Sequence, residues 1–168
     1  LYLRGDVNDA LLHLDKALRI EPNDAIAHGA IGAILLRMPQ QQAEGFTHLR
    51  RSLEIYPDQA AVQSTFGVAL LEAGEPEESK THLEHAIALD PADSDAHYNL
   101  GNTLLALRRP QDAVAEYERA FQLNPHDTEA LNNLAWVLAT WPEDSGRDGP
   151  KAVEWGEKAD ALAQHRNA

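Results

Sequence analysis

The stretch His97–Pro125, HYNLGNTLLALRRPQDAVAEYERAFQLNP, decides how this chain folds. His97, Leu100, Gly101 and Leu104 recur at the spacing of one helix face, and Ala113, Tyr117 and Ala120 do the same in a second run. Apolar residues three to four apart give a helix one buried stripe. Small residues such as Gly101, Ala113 and Ala120 let two helix backbones approach closely. Pro125 ends the second run, because proline lacks the amide donor and clashes in a helix interior. The stretch therefore reads as two helices folded against each other.

The same pattern recurs toward the N-terminus. Pro22, Pro57, Pro91 and Pro125 are spaced by 35, 34 and 34 residues. Five before each proline is a small residue (Ala17, Ser52, Ala86, Ala120), and eight before is a large one (Leu14, Leu49, Leu83, Tyr117). Twelve before is small again: Ala10, Gly45, Ser79 and Ala113. The upstream halves match through Ile31-Gly32, Phe66-Gly67 and Leu100-Gly101, each with a leucine three residues after the glycine. The first is offset by one residue, which places an insertion near Arg37 to Gln42. Asp24, Asp58, Asp93 and Asp127 stand where a capping oxygen opens the next helix. A single hairpin cannot bury its own stripe, so neighbours must stack.

With these residues in view, the chain resembles the tetratricopeptide repeat family over nearly its whole length. His97-x-x-Leu100-Gly101-x-x-Leu104, then Ala113-x-x-x-Tyr117-x-x-Ala120, then Pro125 is similar to that family's repeat of about 34 residues. The chain departs from it at His28 and His97, where the family prefers tryptophan, and at Ala135, which replaces a glycine. The resemblance implies an all-α, right-handed superhelix of antiparallel hairpins: one solenoid domain. Expected repeats are a partial one over 1–24, then 25–59, 60–93, 94–127 and a variant over 128–164. Residues 1–24 are expected to hold the tail of a first helix, a turn at Gly5 and a second helix. The last repeat carries a long connector, Thr140 to Pro150, read as a rigid spacer, with Asp148 placed to start the helix after it. Asn132-Asn133-Leu134-Ala135-Trp136 through Arg147-Asp148-Gly149 resembles a variant found near the ends of bacterial arrays. Gly156 occupies the seat of the earlier large residues, and Trp155 is the candidate to refill it. The chain begins at Leu1 rather than Met and is expected to be part of a larger protein.

Composition bounds the function. The 168 residues carry a formal net charge of −13, which opposes nucleic acid and anionic membrane surfaces as partners. No apolar run approaches the ~20 residues that span a bilayer. There is no cysteine, so disulfides and thiolate metal sites are excluded. The acidic residues crowd onto the second helices (Glu75, Glu77, Glu78, Glu84, Asp112, Glu116, Glu118, Glu154, Glu157), as a solvated back face would.

The resemblance implies that first helices line a concave groove. Its projected floor is Ile26, Gly29, Ala33 and Leu36, then Ala61, Ser64, Val68 and Leu71, then Asp95, Tyr98, Asn102 and Leu105, then Glu129, Asn132, Trp136 and Ala139. This small, nearly uncharged strip is the expected partner surface. The candidate peptide-binding residues are Tyr98, Asn99, Asn102, Leu105, Asn132, Asn133 and Trp136, with Val68 and Leu71 alongside. A carboxamide offers both a donor and an acceptor to an extended backbone. Asn102 and Asn133 match places where relatives hold a ligand's backbone. Tyr98 stands where other relatives place part of a carboxylate clamp, and no basic set accompanies it. The asparagines equally fit a structural role, as repeat positions that hydrate the groove.

The remaining constellations are weaker. His82 and His85 are three apart, but no third ligand is evident, so no metal or other cofactor is expected. His13, His48 and His82 each sit nine before their proline, and repeat symmetry alone explains that row. No phosphate loop or nucleophile-base set is present, and no catalytic residue or enzymatic activity is expected. The expected function is a scaffold that binds a protein or peptide. The alternatives are a self-associating module, hence a homo-oligomer, and an accessory arm of a larger enzyme such as a glycosyltransferase. Light scattering and the sequence of the parent protein, respectively, discriminate these.

Overall fold

The computed structural model describes residues 2–126, 128–141 and 148–166, with side chains from Val7 to Leu162 of those. Nine helices fill the described residues: α1 (Tyr2–Ile20), α2 (Ala25–Leu35), α3 (Gln42–Ile55), α4 (Ala60–Glu72), α5 (Pro76–Leu89), α6 (Ser94–Ala106), α7 (Pro110–Leu123), α8 (Thr128–Thr140) and α9 (Gly149–Arg166). None is long and apolar enough to cross a membrane. α2 packs on α3, α4 on α5, α6 on α7 and α8 on α9, and each hairpin then stacks on the next. The first helices also meet one another, α2 with α4 and α4 with α6, with no comparable contact from α3 to α5 or α5 to α7. A stack whose first helices lie closer together than its second helices curves toward the first helices, which therefore form its inner face.

The glycine seats explain how the hairpins close. A Cβ built on Gly32 would lie 2.6 Å from Leu49 Cγ, on Gly67 2.7 Å from Leu83 Cγ, and on Gly101 2.6 Å from Tyr117 Cε1. Each glycine thus receives the large residue of the facing helix, and Leu49, Leu83 and Tyr117 are fully buried. Burying one such side chain stabilises by roughly 1.5–3 kcal/mol. The last hairpin differs. Ala135 and Gly156 occupy the two seats, and a Cβ on Gly156 would meet nothing within 4 Å. Trp155, next to that seat, packs against the core cluster that holds Leu134, Val137 and Leu138. Its ring meets Phe121 of α7 edge-on at 5.4 Å, tying the last repeat to the one before.

The proline spacing is matched by helix ends at Ile20, Ile55, Leu89 and Leu123, two residues before each proline. The first turn of two hairpins uses a left-handed residue, Gly74 at φ 83° and Arg108 at φ 58°. It lets the Glu75 amide donate to the Leu70 carbonyl and Arg109 to Leu104, a closing bond typical of helix C-termini. The turn between α2 and α3 is longer, over residues 36–41, where the inserted residue falls.

Two expectations need correction. Gly5 makes no turn, since α1 runs unbroken from Tyr2 to Ile20. A glycine costs a helix about 1 kcal/mol, which its neighbours here outweigh. Asp24 and Asp93 cap α2 and α6 through the second and third amides, but Asp58 caps nothing. It lies one residue too close to its proline, Gln59 takes the cap position without a capping bond, and Asp58 faces His85 instead. Asp127 lies outside the described residues, as does the connector from 142 to 147. At its end, Asp148 does open α9, accepting from the Lys151 amide at 3.1 Å.

Candidate functional site

The inner face changes character along the stack. On α2, Ile26 is 77% exposed, but Gly29 is buried, where a Cβ would strike Val62 at 2.9 Å. Gly29 is therefore a packing residue between repeats and not groove floor. On α4, Val68 and Leu71 are half-buried and offer apolar surface only. The amide and phenol groups of the candidate site begin at α6.

Tyr98, Asn102 and Asn133 come together there, joined by a residue that the spacing reads only as core. Tyr117 is fully buried on α7, yet its hydroxyl passes the edge of Gly101 and donates to Asn102 Oδ1 at 2.7 Å. The Asn133 amide donates to the same oxygen at 3.1 Å and to the Tyr98 hydroxyl at 3.2 Å. Burial, reinforced by Tyr98, holds the Tyr117 phenol well above its ordinary range, so it remains a neutral donor. The only sequence signal for this role was the tyrosine standing where its sister repeats have leucine.

This network leaves defined valences over. The Asn102 amide nitrogen and the Asn133 carbonyl oxygen have no partner in the network, and no buried side-chain polar atom among the described residues is unsatisfied. Those two groups are therefore open to solvent: a donor and an acceptor from adjacent repeats, fixed from behind. Around them, Trp136 is 54% exposed, with Trp141 edge-on at 6.4 Å. Leu105 is partly committed to the core cluster around Tyr117. Asn132 is exposed and stands apart from the network. Asn99 gives its carbonyl to Thr103 and lines, with Asp95, Tyr98 and Asn124, a cleft of about 860 Å³ beside it.

The back face is mostly solvated acid, as at Glu84, which pairs with Lys80, and Asp112, which pairs with Arg109. Glu116 is the exception. It turns inward to His97, with 2.6 Å between Oε2 and Nδ1. His48 and His82 occupy equivalent seats, each turning to the first helix of its own hairpin. Among the described residues no group of three or more potential ligands could hold a metal ion.

The sequence matches the family model described as Tetratricopeptide repeat over residues 65–127 and again over 98–167. No curated protein sequence matches it. Among solved structures, one of MamA is similar with a TM-score of 0.86 at 20% identity, covering 99% of this chain and 94% of that one. MamA from Desulfovibrio magneticus RS-1, from residue 41 to its end, gives 0.85 at 22%, covering 99% and 91%. PilF of Pseudomonas aeruginosa gives 0.81 at 25%, covering 97% and 70%. These are likenesses of fold.

Proposed function

Because this chain belongs to the tetratricopeptide repeat family, whose solenoids are protein-interaction scaffolds, we propose that it holds an extended peptide segment of a partner protein in the α6/α8 half of its inner face. The observation that carries this reading is the braced asparagine pair. Asn102 offers N–H groups and Asn133 offers a carbonyl oxygen, while Tyr117 and Tyr98 hold both amides in place. An extended backbone presents the complementary C=O and N–H. Bracing removes much of the ordering cost that binding otherwise carries. Trp136 and Leu105 supply apolar contact, and Asp95 and Glu129 on the same face favour a segment with basic rather than acidic side chains.

A peptide-array screen followed by calorimetry tests the reading. Asn102→Ala with Asn133→Ala should weaken a captured peptide by about tenfold or more, the loss of two hydrogen bonds. Unchanged affinity for every captured peptide would remove the site.

A second reading, self-association, has one observation in its favour. On α1 the stripe residues Ala10, Leu14 and Ala17 are only half-buried, whereas their counterparts Gly45, Leu49 and Ser52 are buried, and Leu12 beside them is 51% exposed. Light scattering across concentration tests it, and a strict monomer would dismiss it.

A further inference from the structure

The hairpins α2/α3, α4/α5 and α6/α7 each carry a polar rung between equivalent seats. The first helix supplies His28, Gln63 or His97, and the second supplies His48, His82 or Glu116. The inner residue also reaches the carbonyl of the preceding proline: His28 Nε2 to Pro22 at 3.1 Å, Gln63 Nε2 to Pro57 at 2.8 Å, His97 Nε2 to Pro91 at 3.4 Å. A carbonyl only accepts, so the nitrogen facing it must carry a hydrogen. That fixes what every other atom of the rung can do with a proton.

In α2/α3, the Nδ1 atoms of His28 and His48 face each other at 3.0 Å. With Nε2 of His28 donating to Pro22, its neutral ring accepts at Nδ1 from His48. One added proton is tolerated, but a second sets two N–H groups head to head. In α4/α5, Gln63 spends both amide hydrogens, on Pro57 and on Nδ1 of His85 at 2.9 Å, and its oxygen accepts from His82 at 2.6 Å. A proton on Nδ1 of His85 would again oppose two donors. In α6/α7, both ring nitrogens of His97 face oxygen acceptors, Glu116 and Pro91, so the doubly protonated ring has a partner for each N–H.

We propose that these rungs make the array respond to mild acid hairpin by hairpin, with α2/α3 and α4/α5 loosening while α6/α7 stays pinned. The charges around each rung pull in both directions. His48 is faced by His28 and, in the opposite sense, by Glu44 on its own helix and Asp15 on α1. His82 is faced by Glu78 and His85 on its own helix and by Arg50 on α3, and His85 by Asp58. Burial comes first in holding both His48 and His82 below the usual histidine value, and the carboxylates nearby do not reverse it. A histidine so held binds fewer protons folded than unfolded. Its stabilisation is intact above about pH 6.5 and is lost as pH falls toward the folded value. The asparagine network of the inner face lies on the half that holds.

Amide hydrogen exchange on the whole chain tests this, comparing pH 7.5 with pH 5 after correction for intrinsic rates. Protection in α2 to α5 should fall by roughly tenfold relative to α6 and α7, about the effect of one proton excluded by one pKa unit. A uniform loss, or none, would overturn the proposal. Exchanging rungs sharpens the test. His48→Glu should remove the acid response of α2/α3, and Glu116→His should introduce one in α6/α7. Should either variant fail to fold at pH 7.5, the other decides; a hairpin whose acid response does not follow its rung refutes the idea.

Discussion

In α6/α7, Gly101 sits beneath the ring of Tyr117; in α8/α9, the same two seats hold Ala135 and Gly156, neither of them bulky. The first hairpin closes on itself, a bulky group on one helix entering a bare backbone on the other. The second lacks that interlock, and Trp155 meets Phe121 of the preceding repeat edge-on. The family pattern names the positions where size matters but not which helix supplies the bulk. A repeat is stabilised both by the packing of its own two helices and by its contact with the next repeat. In a stacked array those two terms set local stability almost separately.

Substitutions at these seats break or sharpen the contrast. Tyr117→Ala should have the largest effect, destabilising by about 4 kcal/mol through the cavity it leaves. Urea unfolding followed by far-UV circular dichroism would show the loss, and the asparagine pair would lose its brace at the same time. Gly101→Ala comes next. Its Cβ would lie 2.6–3.0 Å from three ring atoms of Tyr117, and the overpacking should cost about 2 kcal/mol. Tyr117→Phe keeps the ring and removes only the donation to Asn102, so about 1 kcal/mol is expected. Because Asn133 still bonds Asn102, the drop in peptide affinity should be smaller than for the double asparagine variant. Gly156→Ala should move the other way. With open space around the new methyl, relief of the glycine helix penalty should stabilise α9 by about 1 kcal/mol, read by hydrogen exchange in that helix. If Gly101→Ala and Gly156→Ala had the same sign, the contrast between the hairpins would be wrong.

The fold was legible because it rests on spacing, and spacing survives in a linear string. Four prolines in register, with small and large residues at fixed offsets, were enough to place hairpins, and the insertion before α3 fell where the offset put it. What depended on a single-residue shift was less legible. Asp58 resembles Asp24 and Asp93 in the string, yet standing one place nearer its proline it misses the cap. Gly29 projects toward the inner face on a regular helix, but a second neighbour, Val62, covers it. Glu116 reads as one more surface carboxylate until its partner across the hairpin is seen to be His97. The candidate site was half visible. Asn102 and Asn133 were found from type and position, whereas the Tyr117 hydroxyl that braces them could not be, because a residue chosen for bulk gives no hint of where its polar tip emerges.

All three tryptophans, Trp136, Trp141 and Trp155, belong to α8, its end and α9. Intrinsic emission from this chain is consequently a local signal. Excited selectively, tryptophan follows the last hairpin and its contact with α7 and is silent about α1 to α6, so a fluorescence melt and a circular dichroism melt of the same sample will report different transitions whenever the hairpins come apart one at a time.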